Sequence, residues 1–333
     1  MTRTDTAPTE APTREPDRRT PDRLLPALLG APLLLAVLLT AFALPASKSE
    51  PHDLPIALVA PEPVAAKAAE QLDGVADLHP ADGPDETRDL IERREVYGAL
   101  IVGPDGVEVQ TATAAGPAVA GLLDRLGERL AAQADMPLET TDVVPTAETD
   151  PNGTAFTASA FPLAVGGIII AALLTAAAAT SAAKRATGAV LAPLLGAAAL
   201  AGIMVWPLES IDAGDYPAAA GALALTLAAV TWTVLGLHAL AGRVGLAIGA
   251  ATVMLLGNPL SGMTSAPEML PEPWGAVGQG MPPGAGATLL RTVVFFPEAD
   301  YVRSAATLGI WLFCGAVLFW IGTAVKKRAE ANA

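Results

Sequence analysis

Val244–Arg291 reads VGLAIGAATVMLLGNPLSGMTSAPEMLPEPWGAVGQGMPPGAGATLLR, and it changes character partway along. From Val244 to Leu260 there is no charge. A helix of about 17 residues rises ~26 Å, enough to cross most of a hydrocarbon core. Asn258-Pro259 should end that helix, because proline supplies no N–H and pushes the preceding residue out of the α region. The stretch Met263–Gly286 then carries five prolines and five glycines among Trp274, Met269 and Met281. It is too apolar for a solvated loop and too broken to span. It reads as short helical pieces entering the membrane interface, with Trp274 at headgroup depth. A loop packed on its own helix bundle fits the same composition.

Working outward, 52% of the 333 residues are hydrophobic, yet the net charge is −14, so apolar and acidic parts must be segregated. Between Ala46 and Ser159 stand 21 Asp/Glu and 7 Lys/Arg, an excess equal to that of the whole chain. An acidic soluble part disfavours nucleic acid. Cys314 is the single cysteine, which rules out an intrachain disulfide and a cysteine-based zinc site.

Residues 1–23 form a Thr/Pro/Arg/Asp-rich tail with no apolar periodicity, expected to be disordered and cytoplasmic. Leu24–Leu44 is the first expected span; Ala41-Phe42-Ala43 resembles a cleavage site, but the apolar run is longer than a signal-peptide core. Residues 46–158 read as a small extracytoplasmic α/β domain. Ile56–Val59 and Tyr97–Val102 are buried strands, Val107–Val109 begins another, and Val64–Leu72, Asp85–Val96 and Ala118–Ala134 are helices. His52 and His79 each lack a second ligand at metal spacing.

Residues 161–325 hold five further runs of spanning length: Phe161–Thr180, Ala189–Leu208, Ala218–Ala241, Val244–Leu260 and Ala305–Val325. Lys184-Arg185, Arg243 and Lys326-Lys327-Arg328 fall in alternate connections, and Glu209, Asp212 and Asp215 lie in the connection between the first two. The positive-inside rule then places both termini, including the tail 326–333, in the cytoplasm of a cell-membrane protein. The fold class expected is an α-helical membrane protein with six transmembrane helices, the α/β domain between helices 1 and 2, and a re-entrant Pro/Gly-rich segment between helices 5 and 6. Gly245-x-x-x-Gly249 gives a close-approach face, and Gly166, Gly196, Gly202 and Gly221 lie in Ala-rich helices suited to tight packing.

Within those spans there is no Asp, Glu, Lys or Arg, and one histidine, His238. Ion-coupled carriers need charged or coordinating groups near the midplane, so a secondary transporter is disfavoured. No catalytic constellation, metal site or cofactor site emerges, and no enzyme activity is expected. None of the five lysines follows a glycine, so no Gly-x-x-x-x-Gly-Lys-[Ser/Thr] phosphate loop exists and any ATP hydrolysis belongs to a partner.

The order of span, α/β domain and five spans, with IALVA (56–60), YGALIV (97–102), FPLAVGG (161–167) and NPLSG (258–262) followed by MLPEPWGAVGQGMPPGAGATLLR (269–291), resembles the permease subunits of type-two ABC exporters. It looks particularly like the phage-infection-protein-like branch. The resemblance implies a homodimer, or a heterodimer with a related permease, in the lipid bilayer, with a separate ATP-binding-cassette ATPase docked inside. It also implies an outer gate made by the segment after the fifth span, which here comprises Asn258, Pro259, Gly262, Trp274, Pro282 and Pro283. Such permeases carry an amphipathic helix before the first span and a coupling helix between the second and third. Here residues 1–23 show no amphipathic pattern and the second connection is only about residues 181–188, which leaves Lys184 and Arg185 as the candidate ATPase contact. The function expected is export of a hydrophobic or amphipathic compound; the alternative is a non-transporting envelope scaffold or receptor acting through its exported domain.

Overall fold

The computed structural model describes residues 24–177 and 181–332; the expected tail, residues 1–23, lies outside them. Five helices are long and apolar enough to cross a membrane. The described residues fall into two units, divided between Thr40 and Ala41. Helix α1, Leu24–Ser47, accounts for the first apolar run and exposes Leu28, Leu33, Leu35 and Leu39.

The α/β domain follows as β1 (Leu54–Val59), α2 (Glu62–Gln71), β2 (Ala76–Pro80), α3 (Pro84–Glu92), β3 (Gly98–Val102), β4 (Val107–Thr111), α4 (Pro117–Ala134) and β5 (Leu138–Asp142). Its five strands lie in the order β2-β1-β3-β4-β5. β1 pairs parallel with both β2 and β3, β3 pairs antiparallel with β4, and β4 pairs parallel with β5. Strands β1 and β3 are the continuous apolar runs that the sequence exposes, as burial on both faces requires, whereas the inner strand β4 (VEVQT) is mixed. The edge strands were not legible: β2 (ADLHP) alternates apolar and polar residues, with Ala76 and Leu78 on the core, but over only five residues ending in proline, and β5 (LETTD) is mostly polar and exposed. Helix α3 stops at Glu92, short of the expected Val96, where the chain turns through Arg94 at φ 58°.

Leu54, Ile56, Ile91, Val109 and Leu123 fill the domain core, and Ala266, Phe296 and Ala299 join it from beyond the fourth apolar run. The domain therefore does not close its core from its own stretch of sequence.

Asp150 ends the domain. Its carboxylate accepts from the backbone N–H groups of Thr154, Ala155 and Phe156 at 2.7, 2.9 and 3.1 Å, capping the short helix α5 (Thr154–Ala158). Helices α6 (Ala160–Ala176), α7 (Ala182–Val205) and α8 (Tyr216–Ala251) follow, and α8 continues as a π-helical turn over Thr252–Gly257. Two of the expected spans fall in this single apolar stretch, Ala213–Gly257, of 45 residues. At 1.5 Å per residue it would reach ~68 Å if straight, over twice a hydrocarbon core. It is not straight. Gly242 adopts φ 58° and ψ −136°, a conformation essentially reserved for glycine, and the chain turns back on itself there. A Cβ built on Gly245 would strike the carbonyl of Leu237, and one on Gly249 would lie 3.3 Å from Cα of Val234. Residues 216–241 (arm α8a) and 243–251 (arm α8b) are thus antiparallel, and the Gly245-x-x-x-Gly249 face is used within the chain.

Arm α8a is the axis of the bundle. Gly315 and Gly322 of α11 (Val302–Ala331) allow that helix to press on Trp232 and Ala239, while Gly166 and Gly167 of α6 meet Leu227 and Val230. Gly196 also meets Leu227, whereas Gly202 faces Trp206 just past the end of α7 and Gly221 faces open space.

After Gly257 the chain makes a 3-10 turn at Pro267–Met269, a short helix α9 (Trp274–Gln279) and α10 (Pro282–Phe295). The short pieces were expected; α10 is longer than the broken sequence suggests. Its Gly/Pro-rich first half is buried inside the protein, with Gly286 against Thr226 of α8a and Pro283 against Gly257. Small residues are needed where backbones cross: a Cβ on Gly278 would strike the carbonyl of Leu260, and one on Gly284 would strike that of Gly278.

Candidate functional site

The α/β domain meets the α9–α10 segment through a polar seam beside a cleft. Three contacts close the seam. The His52 N–H donates to the Glu268 carbonyl at 2.9 Å, and the Tyr97 hydroxyl donates to Glu268 Oε2 at 2.7 Å. Arg94 Nη1 donates to Thr292 Oγ1 at 2.5 Å and to the Thr288 carbonyl at 3.3 Å, while its guanidinium lies 5.7 Å from the centre of the Phe296 ring. Burial, and next the Glu268 carboxylate, push the Tyr97 phenol above its ordinary pKa, which keeps it protonated as the donor.

Beneath the seam, α10 carries a cation into the interior. Arg291 is 3% exposed; its Nη2 donates to the Met263 carbonyl at 2.9 Å, and its guanidinium sits 5.7 Å over the Phe156 ring. Its Nε is buried without a partner, and among the described residues Arg291 makes no ion pair. A buried guanidinium without a counter-ion is costly, and one carbonyl and one aromatic face offset only part of that cost. Arg291 lies outside the expected spans and was not singled out from sequence; a charge following the uncharged run MPPGAGATLL was the available signal.

Alongside the seam is a cleft of about 820 Å³. Its walls are residues 93–97 of the domain, Gly275, Ala276 and Gln279 on α9, and Arg303, Ser304 and Thr307 on the first turns of α11. Gln279 at its floor donates to the Ser261 carbonyl at 3.1 Å and accepts from Thr288 at 2.7 Å. Trp311 Nε1, one turn beyond Thr307, donates to the Gly280 carbonyl at 2.8 Å and ties α11 to the end of α9.

The six residues expected at a gate separate into four places. Pro282 and Pro283 are buried at the start of α10, with Pro283 against Gly257. Asn258 and Pro259 are half-buried in the turn that ends the π-helical segment, where the Asn258 N–H donates to the Val253 carbonyl at 2.9 Å. Gly262 takes φ 69° in a tight turn against Pro267. Trp274 is 46% exposed on α9 and points away from the cleft that its neighbours Gly275 and Ala276 line. Lys184 and Arg185 lie far along the chain, in the first turn of α7, where Ser181 Oγ accepts from the Lys184 N–H at 3.3 Å. Among the described residues no cluster of His, Cys, Asp and Glu could hold a metal ion.

Five helices of this length and composition mark a multi-pass membrane protein carrying a small mixed α/β domain. Compared with known proteins, the chain matches no family model, no curated protein and no solved structure.

Proposed function

We propose that this protein is the membrane permease subunit of an ABC-type exporter for a hydrophobic or amphipathic compound, powered by a separate ATPase. The reading counts the two arms of α8 as separate crossings, giving six spans with both termini in the cytoplasm. The α/β domain and the α9–α10 segment then face outward. The observation that carries the proposal is the interrupted α9–α10 segment, whose second helix is buried inside the bundle and bears Arg291, a cation with no ion pair among the described residues, beside a cleft that is open to solvent. Irregular backbone at membrane depth persists only where protein buries it or where it lines an aqueous path, and ionisable groups there attend substrate pathways. A scaffold has no need of either. In the mechanism, contact with an ATPase on the inside biases two packings of the bundle, and the segment from Asn258 to Gly286 closes the outer side.

The second reading, an envelope scaffold or receptor acting through the exported domain, draws on one specific observation. Helix α6 ends at Ala176 and α7 begins at Ala182, while α8 reverses at Gly242 itself, so these inner connections offer little for an ATPase to grip. The deciding experiment is a mild-detergent pull-down of the tagged full-length protein, with mass spectrometry for an ATP-binding-cassette subunit and an ATPase assay. Stoichiometric ATPase whose activity is lost on charge reversal of Lys184 and Arg185 supports the exporter. A clean preparation with no nucleotide-binding partner overturns it in favour of the receptor.

A further inference from the structure

The cleft is lined by polar and charged groups set among apolar ones, and exposed apolar side chains flank it. On α9, Gly275, Ala276 and Gln279 line it, while Trp274 and Val277 are 46% and 42% exposed outside it. On α11, Arg303, Ser304 and Thr307 line it, while Val302 and Ile310 are 62% and 63% exposed. Helix α11 is itself long and apolar enough to span, so the cleft runs from the charged mouth into the first turns of a membrane helix. A ligand seated there has its polar part against hydroxyl and amide groups and its tail beside the exposed apolar side chains of α9 and α11. That division of surface is the outline of an amphiphile.

The charges select the head. The lining holds three arginines, Arg93, Arg94 and Arg303, against five carboxylates, Asp53, Glu95, Glu268, Glu272 and Asp300. Arg93 is paired with Glu95 at 2.9 Å, and Arg94 is engaged with Thr292. Against the remaining arginine, Arg303, stand three exposed carboxylates at the mouth, Asp53, Glu272 and Asp300, so the balance left there is negative. We infer that this cleft binds the head of an ammonium-bearing amphiphile entering sideways from the outer leaflet, with the ammonium at the carboxylates of the mouth and the hydrogen-bonding part of the head at Gln279, Ser304 and Thr307. The inference deepens the exporter reading by naming the cargo class and the place where it leaves or waits, but its test involves no ATPase, so either can fail alone.

The test uses the full-length protein in neutral detergent with two probes that share a chain and a phosphate, lysophosphatidylethanolamine and lysophosphatidylglycerol, and reads binding by native mass spectrometry. The expected result is tighter binding of the ethanolamine probe, by about tenfold, with that preference lost in Glu272→Gln/Asp300→Asn. Ala276→Trp, which fills the cleft from α9, should abolish binding of both; Trp274→Ala, outside the cleft, should leave the preference intact. Equal binding of the two probes overturns the ammonium assignment. Undiminished binding by a folded Ala276→Trp protein overturns the cleft as the site.

Discussion

Replacing Arg94 by Met should free α10 from the α/β domain without collapsing either. The guanidinium gives Thr292 a charge-assisted hydrogen bond at 2.5 Å, and such bonds contribute about 1.5–3 kcal/mol. Arg94 is only half-buried, so the lower end applies; its position over Phe296 adds about 0.5–1 kcal/mol. Thr292 is not orphaned by the change, because its hydroxyl also donates to the Thr288 carbonyl at 2.8 Å. Met keeps most of the stem's packing, and the net loss comes to about 2 kcal/mol, roughly a 30-fold rise in local opening. The assay is amide hydrogen exchange on the detergent-solubilised full-length protein, comparing residues 282–296 with the α11 interior, residues 308–322. Exchange should quicken by that factor in the first window and stay unchanged in the second. Arg94→Gly should recover part of the loss, since residue 94 sits at φ 58°, where a side chain costs about 1 kcal/mol. Less than threefold change in residues 282–296 of Arg94→Met would refute the claim that this arginine holds the domain to the helix.

Three further outcomes follow from other parts of the molecule. Arg291→Met removes a buried cation but leaves the Met263 carbonyl without its donor, so thermal stability should shift by no more than about 2 kcal/mol while transport is lost; a protein that fails to fold would make Arg291 structural instead. Gly245→Leu drives a side chain into the Leu237 carbonyl and should cost about 3 kcal/mol or more, seen as a lowered midpoint by fluorescence-detected size exclusion; Gly221→Leu, which meets nothing, should be silent. Asp124 has its pKa raised by desolvation and then by Glu128 and Asp142, with Oδ1 buried and unpartnered. A carboxyl whose folded pKa is raised weakens the fold once it ionises, so Asp124→Asn should raise the thermal midpoint at pH 7, and the gain should vanish below the ordinary carboxylate range; an equal gain at both pH values would exclude the charge as the cause.

The sequence by itself determined the segregation of this protein. Apolar runs long enough to span, an acidic stretch between the first two of them, and the central strands IALV and GALIV are one-dimensional signals, because burial in lipid or between two layers of helices imposes hydrophobicity on every residue. It also marked where Val244–Arg291 breaks, since proline and glycine act locally. The edge strands escaped for different reasons: β5 is mostly polar and exposed, and the alternation of β2 runs over too few residues to stand out. Only the tertiary structure decided what the broken segment does. Glu268 meets Tyr97 across 171 residues of chain and Arg94 meets Thr292 across 198, and no local pattern encodes a partner at that distance. The glycines that read as helix breakers, Gly278, Gly284 and Gly286, are positions where another chain segment passes too close for a Cβ. That packing carries α10 into the bundle, binds the α/β domain to it through a shared core, and leaves beside their seam the cleft on which the proposed function rests.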